Sequence, residues 1–185
     1  MKAVVYACMA DGLEEVECLA AVDVMIRSGI TVKLVSMTGN PVVTGAHGIR
    51  ITADLLWEES QPDEADCIFL PGGMPGTAHL AAHKELGEAL VKAVSEERRV
   101  AAICAAPSVL GGLGLLKGKK ATCYPGFEDK LTGAEYTSQG VVTDGLVTTA
   151  RGLGYALDLG LEISGLLVGR ETAAKVKAAI QYDQV

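Results

Sequence analysis

Three short runs of this chain, Val4 to Cys8, Cys67 to Leu70 and Val100 to Ile103, are apolar at every position. A strand without a polar face must be covered on both sides, which points to the interior of a parallel sheet. Between the first two runs, Leu13 to Ser28 carries Val16, Leu19, Ala20, Val24 and Met25 near helical spacing, and Gly29 closes that helix. Thr31 to Met37 then reads as another buried strand, so the opening is a strand-helix-strand unit of the kind that makes parallel pairs. The expected fold class is α/β, with a doubly wound sheet.

The rest of the chain continues the alternation. Val42-Val43 and Ile49-Arg50-Ile51 suggest a small hairpin, and His79 to Glu97 a helix divided near His83. Ala121-Thr122-Cys123, Gly140 to Thr143 and Leu146 to Thr149 read as strands, the last two joined by an Asp144-Gly145 turn. Helices are expected over Gly154 to Val168 and Thr172 to Ile180. With 185 residues and neither repeat nor linker, one domain over 1–185 is expected.

Charge narrows the partners. The net charge is −7, and no basic run exceeds the pairs Arg98-Arg99 and Lys119-Lys120, so no nucleic acid is expected to bind. No apolar stretch is long enough for a membrane span, and the N-terminus leads straight into a strand-like run without a signal core, so a cytoplasmic location is expected. The five cysteines, Cys8, Cys18, Cys67, Cys104 and Cys123, include no C-x-x-C pair and read as free thiols.

Cys104 stands apart because it follows the strand Val100 to Ile103 and precedes a helix starting near Pro107. Ligands gather at the carboxyl ends of parallel strands, and a helix N-terminus favours an anion, so this thiol is expected to be acidified and partly thiolate. A buried structural cysteine is the equal alternative. After Leu70, Pro71-Gly72-Gly73 offers backbone amides to a substrate, or is simply a turn. After Cys8, Asp11-Gly12-Leu13-Glu14-Glu15-Val16-Glu17 opens the first helix. Glu14 and Glu15 suffice as partners of the helix dipole, whereas Glu17 lies where a carboxyl can face the strand ends. His79 and His83 have the i, i+4 spacing of metal ligands but no third ligand, so no metal is expected.

Gly12 to Glu17, Leu70 to Gly73 and Ala101 to Pro107, together with Val22 to Met25, Asp129-Lys130 and Thr149 to Gly152, resemble the ThiJ/PfpI superfamily in its parkinsonism-associated DJ-one branch. The resemblance implies a flavodoxin-like sandwich of the class I glutamine amidotransferase type, a homodimer, and no metal or organic cofactor. By position it makes Cys104 the nucleophile and Glu17 a protonated carboxyl hydrogen-bonded to it, with Gly73 and Ala105 as amide donors. Arg27 matches a position near the dimer interface, His47 stands where a relative has Arg and reads equally as a surface residue or an anion contact, and Gly72 and Tyr124 complete the expected pocket. Relatives of the branch often carry His before Pro where this chain has Tyr124-Pro125, and Ala105 replaces the His of superfamily peptidases. The implied activity is cofactor-independent chemistry on reactive dicarbonyls or glycated protein, of glyoxalase III or deglycase type. Two alternatives are a redox sensor or chaperone working through a Cys104 sulfinate, and a hydrolase or amidotransferase-like enzyme.

Overall fold

The apolar runs form the centre of one seven-stranded sheet. The computed structural model describes residues 2–182; Met1 and residues 183–185, which the single-domain expectation also spans, lie outside the described residues. In chain order the elements are β1 (Val4–Met9), α1 (Glu15–Arg27), β2 (Thr31–Ser36), β3 (Val42–Thr44), β4 (Arg50–Thr52), β5 (Leu55–Leu56), β6 (Cys67–Leu70), α2 (Gly76–Ala82), α3 (Lys84–Ser95), β7 (Arg99–Ile103), α4 (Pro107–Gly112), β8 (Lys120–Ala121), β9 (Glu135–Tyr136), β10 (Val141–Asp144), β11 (Val147–Ala150), α5 (Ala156–Val168) and α6 (Arg170–Ala179). The sheet order is β10-β11-β7-β6-β1-β2-β5, parallel except where β10 turns back on β11.

Alternation along each central strand supplies two cores. Val5, Ala7 and Met9 of β1, Phe69 of β6 and Ala101 and Ile103 of β7 pack with Cys18, Ala21 and Met25 of α1 and Leu159 and Ile163 of α5. Tyr6 and Cys8, Ile68 and Leu70, and Val100 and Ala102 face the other way, onto Leu86, Leu90 and Ala93 of α3 and Val109 and Leu110 of α4. This is the doubly wound sandwich the apolar runs call for. Gly160 lets α5 approach α1 closely: a Cβ there would stand 2.8 Å from the Ala21 carbonyl oxygen. Truncating a wholly buried leucine such as Leu86 or Leu90 would cost about 2–5 kcal/mol.

One expectation is corrected here. The strand over Ala121 to Cys123 stops at Ala121, because the Thr122 N–H donates to the Thr149 hydroxyl at 3.0 Å instead of to a neighbouring strand. The helix after Cys104 begins at Pro107, as expected, and spans six residues. The helix divided at His83 appears as α2 and α3, where His83 caps α3 by accepting from the Leu86 N–H at 3.2 Å.

Candidate active site

Strands β1, β6 and β7 are neighbours and parallel, so the loops leaving Met9, Leu70 and Ile103 share one edge of the sheet. Glycine permits their close approach. The Glu14 N–H donates to the Gly72 carbonyl at 2.8 Å, tying the first loop to the second. A Cβ on Gly73 (φ +89°) would lie 2.3 Å from the Glu14 nitrogen, and one on Gly12 (φ +86°) would lie 2.4 Å from Pro75.

Gly72 occupies the centre of the cluster. A Cβ there would meet Glu17 Oε2 at 2.4 Å, the Cys104 Cβ at 2.5 Å and the Ile103 carbonyl oxygen at 2.8 Å. Glu17 and Cys104 therefore converge on one bare stretch of backbone. Cys104 has φ +64°, left-handed geometry that a non-glycine residue adopts at a cost. Its N–H donates to the Ala150 carbonyl at 2.9 Å, and its carbonyl accepts from the Tyr124 N–H at 2.8 Å. These bonds hold the elbow and leave the thiol partly exposed, while the other four cysteines are buried.

Glu17 is 1% exposed, and its backbone N–H donates to the Glu14 carboxylate, which caps α1, at 2.6 Å. Burial, reinforced by the nearby Glu14 charge, pushes its carboxyl up to about 7, against the lowering influence of the Cys104 thiol and of the Gly72 and Leu153 amides. The carboxyl and thiol lie within each other's electrostatic reach, yet Oε2 has no partner at good hydrogen-bond geometry. That vacant oxygen suits a carboxyl that carries a proton.

The thiol departs from expectation. Burial and the Glu17 charge push Cys104 up to about 12, opposed by the Gly73 and Ala105 amides, so the acidified thiolate expected from a helix N-terminus is not what this geometry provides. The helix begins three residues too late, and a carboxyl shares the site. Because the groups interact, they lose protons as a pair, and a proton on Glu17 removes the charge that opposes the thiolate.

The remaining expected residues divide. Gly73 and Ala105 direct their amides at the sulfur. Tyr124 borders the site: a Cβ on Gly152 would lie 3.3 Å from its Cδ2 and 3.9 Å from Glu17 Oε1. Arg27 does not belong to the pocket. It ends α1, ten residues beyond Glu17 or roughly 15 Å along the helix, and pairs with Asp23 at 2.6 Å on the surface. His47 is tied down rather than free to bind an anion, its Nδ1 lying 2.7 Å from Glu15 Oε2.

Glu15, read as a dipole partner, is 2% exposed. Burial pushes its carboxyl up, but the His47 ring and the amides of His47 and Ile49 outweigh burial and hold it below its ordinary value. Glu14, Glu15 and His47 bring ligand atoms within 4.8 Å of one another; His47 Nδ1 bonds Glu15, lies 3.8 Å from Glu14 Oε1, and the other Glu14 oxygen accepts from the Glu17 N–H. His79 Nδ1–H donates to the Asp11 carbonyl at 2.9 Å, and His83 Nδ1 accepts from the Leu86 N–H at 3.2 Å. Gly152 and Leu153 are site residues that sequence reasoning missed; the glycine next to Arg151 was the available signal. A cleft of about 570 Å³ between β10, α5 and α6 holds no thiol, and its Arg170 is paired with Glu162.

The description "DJ-1/PfpI family" belongs to the family model that matches residues 2–165. "Protein DJ-1 homolog B" of Arabidopsis thaliana is 37% identical over 174 residues, covering 93% of this chain and 40% of the relative. The chain thus spans less than half the length of that plant protein. A protein named a deglycase, from Pyrococcus abyssi, is 35% identical over 144 residues, covering 77% of this chain and 86% of the relative. The crystal structure of Drosophila melanogaster DJ-1beta superposes with a TM-score of 0.95 at 32% identity, covering the whole of both chains. This likeness agrees with the flavodoxin-like, glutamine amidotransferase type of sandwich.

Proposed function

Because the chain belongs to the DJ-1/PfpI family, we propose that it is a stress-response enzyme that converts reactive α-dicarbonyls, free or as protein adducts, through Cys104 and Glu17. The observation that carries this reading is the buried Glu17 carboxyl, raised to about 7, beside a thiol faced by two backbone amides. Sulfur attacks the aldehyde carbon, and the pair's proton passes to the aldehyde oxygen, giving a hemithioacetal. Glu17 removes the hydrogen from that carbon and returns a proton to the neighbouring carbonyl carbon, while the hemithioacetal hydroxyl gives up its proton and the former ketone oxygen gains one. The resulting thioester is hydrolysed to a 2-hydroxyacid. The aldehyde carbon is oxidised and the ketone reduced, so one water is the only co-reactant. Gly73 and Ala105 supply N–H donors for the developing oxyanion. The relative named a deglycase supports this substrate class. Lactate formation from methylglyoxal without added glutathione is the test; retained activity in Cys104→Ser excludes the mechanism.

A second reading, redox sensing, draws on Cys104 being the one cysteine that is not buried. Oxidation to a sulfinate would place oxygens before the same amides, and a protonated Glu17 could donate to one of them. A hydrolase is disfavoured because His47 is bonded to Glu15, His79 to the Asp11 carbonyl and His83 to the Leu86 N–H, while the residue whose N–H bonds the Cys104 carbonyl is Tyr124 and not a histidine. The expected partner is a second copy of this chain, supported by the outward Val16, Leu19 and Ile26 of α1. Among the described residues no helix is long and apolar enough to cross a membrane.

A further inference from the structure

Tyr124 stands where the resemblance leads one to expect histidine, and its surroundings give it a different use. Its N–H is bonded to the Cys104 carbonyl at 2.8 Å, and its own carbonyl accepts from the Phe127 N–H at 3.1 Å, so its backbone is fixed between the elbow and a turn. The Cδ2–Cε2 edge of the ring lies over Gly152, whose missing Cβ would stand 3.3 and 3.8 Å from those atoms. Glu17 Oε1 is 3.9 Å from the same point, so ring and carboxyl border one patch of side-chain-free backbone. The ring is nevertheless 51% exposed, and among the described residues its hydroxyl has no hydrogen-bond partner. Met74, directly after Gly73, and Leu153, directly after Gly152, are 52% and 50% exposed. Apolar side chains thus follow two of the glycines that form the site. A ring that neither fills the core nor caps a polar group is available to a ligand.

We propose that Tyr124 selects the substituent on the substrate's ketone carbon, favouring a flat aryl group over methyl. This rests on the dicarbonyl reading above. The aryl ring packs against the tyrosine, in the offset or edge-on contact aromatic pairs prefer, while the aldehyde carbon meets Sγ. With an arylglyoxal the balance is unchanged: one water is consumed, and the product is the aryl 2-hydroxyacid.

Two measurements on the full chain test it. The first compares kcat/KM for phenylglyoxal and methylglyoxal in wild type, Tyr124→Phe and Tyr124→Ala. The second needs no turnover: intact mass follows alkylation of Cys104 by phenacyl bromide and by bromoacetone, in which a carbon–sulfur bond forms and bromide leaves. The aryl-to-methyl ratio, in which intrinsic reagent reactivity cancels between proteins, is expected to fall roughly three- to tenfold in Tyr124→Ala and to persist in Tyr124→Phe. An unchanged alkylation ratio in Tyr124→Ala overturns the proposal. A lowered ratio, in a wild-type protein that turns over neither dicarbonyl, upholds the aryl site and removes the dicarbonyl reading instead.

Discussion

Replacing Glu17 by Gln should flatten the pH dependence of folding stability. The variant is nearly isosteric but cannot ionise, and Cys104→Ala serves as the common background so that no thiol shares the proton. With Cys104 present the folded carboxyl is raised from 4.5 to about 7, and removing the thiol takes away one of the influences that lower it; in the unfolded chain it titrates near its ordinary value. Below both values the group is protonated in both states and makes no difference. As pH rises from about 4.5 toward 7, the unfolded chain releases its proton first, so stability falls. Above about 7 the loss is complete. At 1.36 kcal/mol per pKa unit, the interval amounts to about 3 kcal/mol. Urea unfolding at closely spaced pH values from 4 to 8 gives the stability of the Cys104→Ala chain minus that of the same chain carrying Glu17→Gln, and ionisations elsewhere cancel in the difference. That difference should decline by at least about 3 kcal/mol across the window, since the thiol that lowers the carboxyl is absent. A flat difference, or one that rises with pH, means that folded Glu17 ionises like an exposed carboxylate, and the proton assigned to it is lost.

Other consequences follow from the packing and exposure of the site. Gly72→Ala places a methyl 2.4 Å from Glu17 Oε2 and 2.5 Å from the Cys104 Cβ; denaturation should show a loss of about 1–3 kcal/mol, and dicarbonyl turnover should fall about a hundredfold. Full activity with full stability in that variant would contradict the geometry at Gly72. Mild peroxide should add two oxygens at Cys104 alone, because Cys8, Cys18, Cys67 and Cys123 are buried; peptide mapping that finds several oxidised thiols refutes selective sensing. Light scattering should give about twice the chain mass, and Leu19→Glu, altering a half-exposed apolar residue of α1, should yield monomer. A wild-type monomer removes the proposed pairing.

Much of this architecture could be read from the sequence because burial leaves a local record. Cys67 to Leu70 is apolar throughout since Phe69 and Ile68 enter different cores. The elbow was equally legible, with a strand ending at Ile103 and Pro107 opening a helix. The protonation of Cys104 was not, since it depends on a carboxyl 87 positions away that only folding brings near. Arg27 was assigned to the pocket by resemblance alone, and it stands at the opposite end of α1 from Glu17. Leu55–Leu56 is too short for its alternation to register, yet it closes one sheet edge beside β2. Glu15 looked like any acid in a first helical turn; its burial depends on Gly45, where a Cβ would stand 2.2 Å from the carboxyl.

The loops that assemble the site leave β1, β6 and β7, three adjacent strands within the sheet. Those loops are tied to one another and to the sheet, the Glu14 N–H to the Gly72 carbonyl at 2.8 Å and the Cys104 N–H to the Ala150 carbonyl at 2.9 Å, so their amides are expected to exchange with those of the strands they leave. The groups of the proposed site are thus expected to melt with the sheet and not ahead of it. Loss of function on heating should coincide with collapse of the sheet, and a chain that retains its native circular dichroism should retain its chemistry.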